Sequence, residues 1–167
     1  METEKNQHRG NPFNQVNPMP NSHPVLNYAD ANLAVSAILK ALADIGKPAV
    51  IAVCDDHGEL ILLARMDGAP LPCITNAANK AFTAAREAKP SRAIGNATRD
   101  PQNGFDIGNY GDPRYTGWGG GLPVIQAGAC LGAVAVSGLS EDEDVNLAQI
   151  GIDAINAGRA KAPEDHR

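Results

Sequence analysis

The stretch Ala49-Val50-Ile51-Ala52-Val53-Cys54-Asp55-Asp56-His57-Gly58-Glu59-Leu60-Ile61-Leu62-Leu63-Ala64-Arg65 decides the fold. Two apolar runs of strand length, 49–54 and 60–64, flank a cluster of turn residues. Asp55-Asp56-His57-Gly58 is a turn by composition, so the stretch predicts a β-hairpin. Working outward, a second pair of runs, 122–127 and 130–137, is joined by a turn around Gly128. Helical spacing precedes the first hairpin. Ala29, Leu33, Ala34, Ala37, Ile38, Ala41, Leu42 and Ile45 recur by threes, fours and ones over Tyr28 to Asp44. Asn27 with Asp30 is close to a capping box, and Gly46 and Pro48 stop the helix. A second helix is predicted over Cys73 to Ala88, with Ile74, Ala77, Ala78, Ala81, Phe82 and Ala85 on one face. The last helix opens at Ser140, boxed by Glu143, with acids at 141–144 on the positive end of its dipole. Its buried stripe is Val145, Ala148, Ile152 and Ile155, and Gly158 is its expected stop. Strands arriving as hairpins among helices predict an α+β fold with an antiparallel sheet, rather than a doubly wound sheet.

The chain has 167 residues, enough for one core. Alanine supplies 27 of them and aromatics only 4%, so helices and sheet approach closely on small side chains. A net charge of -5 argues against a general nucleic-acid binder, which needs a basic footprint. No apolar run reaches membrane-spanning length. Residues 1–27 hold six Asn and four Pro with no apolar periodicity. They read as an extended arm, either free or laid over a neighbouring subunit through Val16-Asn17-Pro18-Met19-Pro20. The domain then occupies 28–158, with a charged tail at 159–167. The N-terminus lacks the apolar core of a secretory signal, so a cytoplasmic location is expected. Cys54 and Cys130 read as small buried hydrophobes. Cys73, at a helix start, is the thiol a dipole can activate.

One ordered set of motifs carries a resemblance. Ala49 to Asp55, Gly58-Glu59-Leu60, Arg65-Met66-Asp67-Gly68-Ala69 and Asn79-Lys80-Ala81-Phe82-Thr83-Ala84 come first. Gly120-Gly121-Leu122-Pro123-Val124, Gly132 to Gly138 and the acidic Glu143-Asp144 follow. Over about 28–158 this resembles the GlcG/HbpS-like family. The resemblance implies a profilin-like α/β/α sandwich with a central five-stranded antiparallel sheet. It also implies a homo-oligomer, often an octamer, and haem as a possible cofactor. The chain departs from the pattern in its arm, in an aromatic stretch from Phe105 to Trp118, and in lacking a cluster of histidines for iron.

Residues 90–121 are read as one long loop holding Phe105, Tyr110, Tyr115 and Trp118 and seven glycines from Gly104 on. Such a loop binds something or packs on itself. Tyr110, Tyr115 and Trp118 suit a half-wet cleft, because each pairs an apolar ring with a polar tip. Gly119 and Gly120 can present amides to a carboxylate or phosphate, or simply form a tight turn. Arg65, at a strand end, can fork a ligand carboxylate or pair with Asp67 or a neighbouring subunit. Lys80 needs an anionic partner if buried; a ligand acid, Asp55 or Asp67 would serve. His57 with Asp55, Asp56 and Glu59 offers metal donors, but turn tips are usually solvated, so no metal is assigned. Iron would draw on His23, His57, Tyr110, Tyr115 or Met66, none in a signature context. The expectation is a small-molecule binder for haem or another planar, acidic ligand, with no nucleic-acid or membrane partner. The alternative is a cofactor-free hydrolase, isomerase or lyase acting on an organic acid or aromatic catabolite, with Asp67, His57, Asp106, Tyr110 or Tyr115 moving a proton.

Overall fold

A computed structural model describes residues 24–161 of the protein. The strip Val16 to Pro20 and His8, His23 and His166 lie outside the described residues. The element order is α1 (Tyr28–Ile45), β1 (Val50–Asp55), β2 (Leu60–Arg65), α2 (Pro72–Glu87), α3 (Ser91–Thr98), a 3-10 turn (Ile107–Tyr110), β3 (Gly121–Gln126), β4 (Ala129–Ser137) and α4 (Glu141–Lys161).

Both hairpins form. Val50 faces Arg65 and Cys54 faces Leu60 across β1 and β2. Gly121 faces Ala135 and Gln126 faces Ala129 across β3 and β4. In the turn, Asp55 Oδ1 accepts from the N–H groups of His57 and Glu59, each at 2.9 Å. Gly58 sits at φ +85°. The hairpins join through β1 and β4, giving one antiparallel sheet of order β2-β1-β4-β3. Among the described residues the sheet has four strands, not the expected five. The segment 99–120 is broken by turns, prolines and glycines and contributes no strand, and Leu26 adds a single backbone bond to Leu131.

Alternation along the strands builds two cores. Ile51, Val53, Val134 and Val136 point to α1 and α4, while Val50, Ala52, Cys54, Ala133 and Ala135 point to α2. The second core meets Ala77, Ala81, Ala84 and Ala85, so α2 lies close against the sheet. Leu33 and Ile45, expected on the buried face of α1, are exposed; Val35 and Ala31 are buried instead. The first capping box forms, with Asn27 and Asp30 exchanging bonds. Asp30 is itself buried and holds Arg159 at 2.7 Å. Arg159 is therefore helical, and α4 runs past Gly158, the expected stop.

Within the expected loop the structure holds an extra helix, α3. Its Gly95 lies against Gly117, where an added Cβ would stand 2.0 Å from the Gly117 carbonyl oxygen. Burial pushes the Cys54 thiol up to about 12, in keeping with an inert core residue. Cys73 is also buried, and Cys130 is half-buried.

The layers are clamped by one buried ion pair. Lys80 Nζ, from α2, reaches Asp144 Oδ2 of α4 at 2.8 Å and the Val136 carbonyl of β4 at 3.1 Å. Their side chains are 3% and 2% exposed. Asp144 also accepts from the Leu139 N–H. Burial raises the Asp144 carboxyl and the Lys80 ammonium pulls it back. The partner of Lys80 is thus Asp144, not Asp55 or Asp67, because α2 faces the strand ends where α4 begins. At that end Ser140 and Glu143 complete the last capping box, and Glu143 also pairs with Lys47.

Three outcomes are expected. Lys80→Met lowers the urea-unfolding free energy by about 3–5 kcal/mol by stranding a buried carboxylate, and the double change with Asp144→Leu recovers most of it. Gly95→Ala gains about 1 kcal/mol of helix propensity but loses about 1–3 kcal/mol to the clash, so the melting temperature falls. Glu143 is held down at about 2 from an ordinary 4.5, first by Lys47 and then by Ser140. A lowered carboxylate stabilises the fold above its unfolded value and loses that effect as pH falls from about 4.5 through about 2. The difference in urea midpoint between wild type and Glu143→Gln should therefore shrink over that window.

Candidate functional site

The aromatic segment packs on itself and on α2. Tyr115 meets Phe82 edge-on at 5.3 Å, Tyr110 stacks on Tyr115 at 4.2 Å, and Phe105 tilts against Tyr110 at 5.7 Å. The Arg114 guanidinium covers Phe82 at 3.9 Å and pairs with Glu59 and Asp112. The Tyr115 hydroxyl donates to Glu87 at 3.0 Å, and burial followed by Glu87 raises its pKa. The bond from the Thr116 N–H to Thr83 Oγ1 fixes the chain beyond the stack.

Past the rings, the chain turns at Trp118 and enters β3. Trp118 is 58% exposed, whereas its carbonyl is tied down by Ser91 Oγ at 2.7 Å. Ser91 Oγ also accepts from the Gly121 N–H. Between these anchors the Gly119 N–H donates to Glu141 Oε1 at 3.0 Å. The second oxygen of that carboxylate, Oε2, stands 3.2 Å from Arg92 Nε. This contact is ionic and not a directed hydrogen bond: Arg92 Nε is shielded from solvent with no acceptor in line. Arg92 is anchored from its other side by Asp142, at 2.7 Å from Nη1, which first among its neighbours raises its pKa. A Cβ on Gly119 would lie 2.7 Å from Arg92 Nε and 3.1 Å from Glu141 Oε2. The bare glycine therefore leaves room for a cradle that holds one carboxylate, here that of Glu141, next in the chain to the exposed Trp118.

The expected site residues divide among several places. Trp118 and Gly119 form the cradle, and Gly120 lies just beneath it, its Cβ direction 2.9 Å from Lys80 Nζ. Lys80 is committed to Asp144. Tyr110 and Tyr115 belong to the ring stack. Arg65 and Asp67 are exposed at the end of β2, the edge strand opposite β3. Three strand spacings, roughly 14 Å, separate those edges. His57 is at the other end of the same hairpin, its Nδ1 3.0 Å from Asp56 and its side chain 69% exposed. The guanidinium that joins Trp118 and Gly119 is Arg92, which the sequence reading missed along with Glu141. Their nearness depends on α3, where Ala93, Ile94 and Ala97 have helical spacing but the run is only eight residues long. The signals available were Pro90 opening a turn of helix and the surplus of acids starting α4.

Haem iron has no donor here. Ser91, Arg92, Trp118, Gly119 and Glu141 include no imidazole, thiol, thioether or phenol. Open cavities of about 330, 370 and 270 Å³ elsewhere among the described residues are likewise lined by none of these groups. The cradle fits an organic carboxylate and an aromatic face. No helix among the described residues is long and apolar enough to cross a membrane.

Comparison with known proteins places this architecture. Residues 26–153 match the family model described as haem degrading protein HbpS-like. An uncharacterized 15.0 kDa protein from the dhaT-dhaS intergenic region of Citrobacter freundii is 30% identical over 131 residues, 78% of this chain and 92% of that one. The Klebsiella pneumoniae protein ORFY superposes with a TM-score of 0.76 at 30% identity, covering 82% of this chain and 94% of its own. The PduOC domain, solved as a haem complex, superposes at 0.74 with 24% identity, covering 79% and 96%, a likeness of fold. A four-stranded antiparallel sheet between helices, with the glycine-led edge strand and the acidic start of the last helix in family order, leaves one conclusion: the chain belongs to the HbpS-like family.

Proposed function

We propose that the protein binds a small planar acid, whose carboxylate sits on the Gly119 N–H and Arg92 Nε while its ring lies on Trp118. The observation that carries this reading is the convergence of a glycine amide and an unsatisfied guanidinium N–H on one carboxylate position, next in the chain to Trp118, which is 58% exposed. A charge-assisted amide and guanidinium fix an acid's orientation, and an open aromatic face accepts any planar ring. The haem complex of a domain with the same fold supports a porphyrin as the first probe. Haem offers propionates and a flat macrocycle, both of which suit the cradle. Its iron finds no partner there, so the proposal assigns binding to the ring and the carboxylates alone. We further propose a cytoplasmic location and, as the family resemblance implies, a homo-oligomer.

A cofactor-free enzyme would need a proton-moving group at the bound acid. Asp67 and His57 stand on the hairpin at the far edge of the sheet, and the Tyr115 hydroxyl is turned to Glu87. The expected bases Asp67, His57 and Tyr115 thus stand away from the bound acid, which favours binding over turnover.

Trp118 is the chain's single tryptophan, so its emission reports on this one place. Haemin and metal-free protoporphyrin should each quench it saturably in the micromolar range, with similar affinity. Arg92→Ala should weaken both by about tenfold or more, the size of a lost charge-assisted bond. Absence of saturable quenching, or tight binding of haemin with none by the metal-free ring, would overturn the assignment.

A further inference from the structure

Resting on that reading of the cradle, we infer that Glu141 is an internal competitor for the ligand's carboxylate. In the free protein it occupies the ligand's place and must swing out before an acid can enter. Three observations converge. Glu141 Oε1 takes the Gly119 N–H at 3.0 Å, the position a ligand oxygen would hold. Its other oxygen lies near Arg92 Nε but out of line, so the occupant is a poor fit to its second donor. Glu141 is also free to leave. It is the first residue of α4, its side chain is 45% exposed, and the cap of α4 is made by Ser140 and Glu143 without it.

Leaving does not dismantle the cradle. Arg92 stays anchored through Nη1 to Asp142, and the Trp118–Gly121 turn stays anchored to Ser91. What departs is one carboxylate, and what returns is another. The exchange also sets the ligand class. Asp142 and the released Glu141 remain close, so a singly charged carboxylate suits the place better than a phosphate dianion. A ligand that meets the guanidinium edge in plane gains the bond Glu141 leaves unmade. The apparent affinity is the intrinsic one reduced by the fraction of molecules with the cradle open.

The test measures protoporphyrin affinity through Trp118 emission in wild type, Glu141→Gln and Glu141→Gln/Arg92→Ala, with circular dichroism confirming equal folding. Glu141→Gln should bind about tenfold tighter, because the competing charge is gone. Adding Arg92→Ala should abolish that gain. Equal or weaker binding by Glu141→Gln, with wild type still binding, would overturn the competitor role and leave the binding site intact. No binding by any form would overturn both. Hydrogen exchange gives a ligand-free check: the Gly119 amide should exchange faster in Glu141→Ala, and an unchanged rate would remove the contact on which the inference stands.

Discussion

The buried contact between Lys80 and Asp144 sets the geometry of everything near the candidate site. It crosses from the α2 layer to the α4 layer around the end of the sheet, and it takes a β4 carbonyl on the way. An ion pair so deep is not a cheap source of stability, because both charges lose their water. Its consequence is positional. With Asp144 fixed, the first turn of α4 is fixed, and a residue three positions earlier shares its face. That residue is Glu141. The same clamp thus holds Asp144 over Lys80 and points Glu141 at Gly119. Because Lys80 Nζ lies under Gly120, the backbone just before β3 is pinned from below as well.

Small residues make this crowding possible. The alanine face of α2 brings its backbone close to the sheet, and the Gly95–Gly117 contact brings α3 onto the turn that carries Trp118. The first admits a methyl group and the second no side chain at all. Glycine at 119 serves a different end: its φ needs no glycine, but a methyl would crowd Arg92 Nε at 2.7 Å and the Glu141 carboxylate at 3.1 Å. Phe82, Phe105, Tyr110 and Tyr115, four of the seven aromatic residues in this chain, form one cluster that glues segment 105–115 to α2. Trp118 stands outside that cluster with its ring in solvent.

Local signals were enough for the hairpins and the three long helices. Each rests on patterns that neighbours in the chain determine, namely apolar runs of strand length, turn-forming residues between them, helical apolar spacing, and capping boxes at Asn27 and Ser140. The family motifs repeated the same order. What stayed hidden depends on distance along the chain. Lys80 and Asp144 are 64 residues apart, and no periodicity links them. The fifth strand followed from the family pattern alone; residue by residue, the 99–120 segment offers no strand. Helix α3 is eight residues long with glycine, asparagine and threonine inside it, so propensity could not announce it, and tertiary contact with Gly117 holds it. Since α3 carries Arg92, missing the helix meant assigning the guanidinium to Arg65, on the opposite edge.

A binding place made of inward-facing donors creates a difficulty for the empty protein. A shielded amide or guanidinium N–H with no acceptor costs about 1–3 kcal/mol. Water can satisfy such groups where there is room, but the Gly119 N–H lies in a backbone turn packed between α3 and α4. A tethered carboxylate solves the problem at no entropic cost of association, since α4 already holds it nearby. It must still be weak enough to yield. Its misalignment with Arg92 Nε and its exposure to solvent both keep it weak, whereas a well-formed fork would lock the cradle shut. The position of Glu141 at the very start of a helix meets both demands: close enough to occupy the donors, and loose enough to release them.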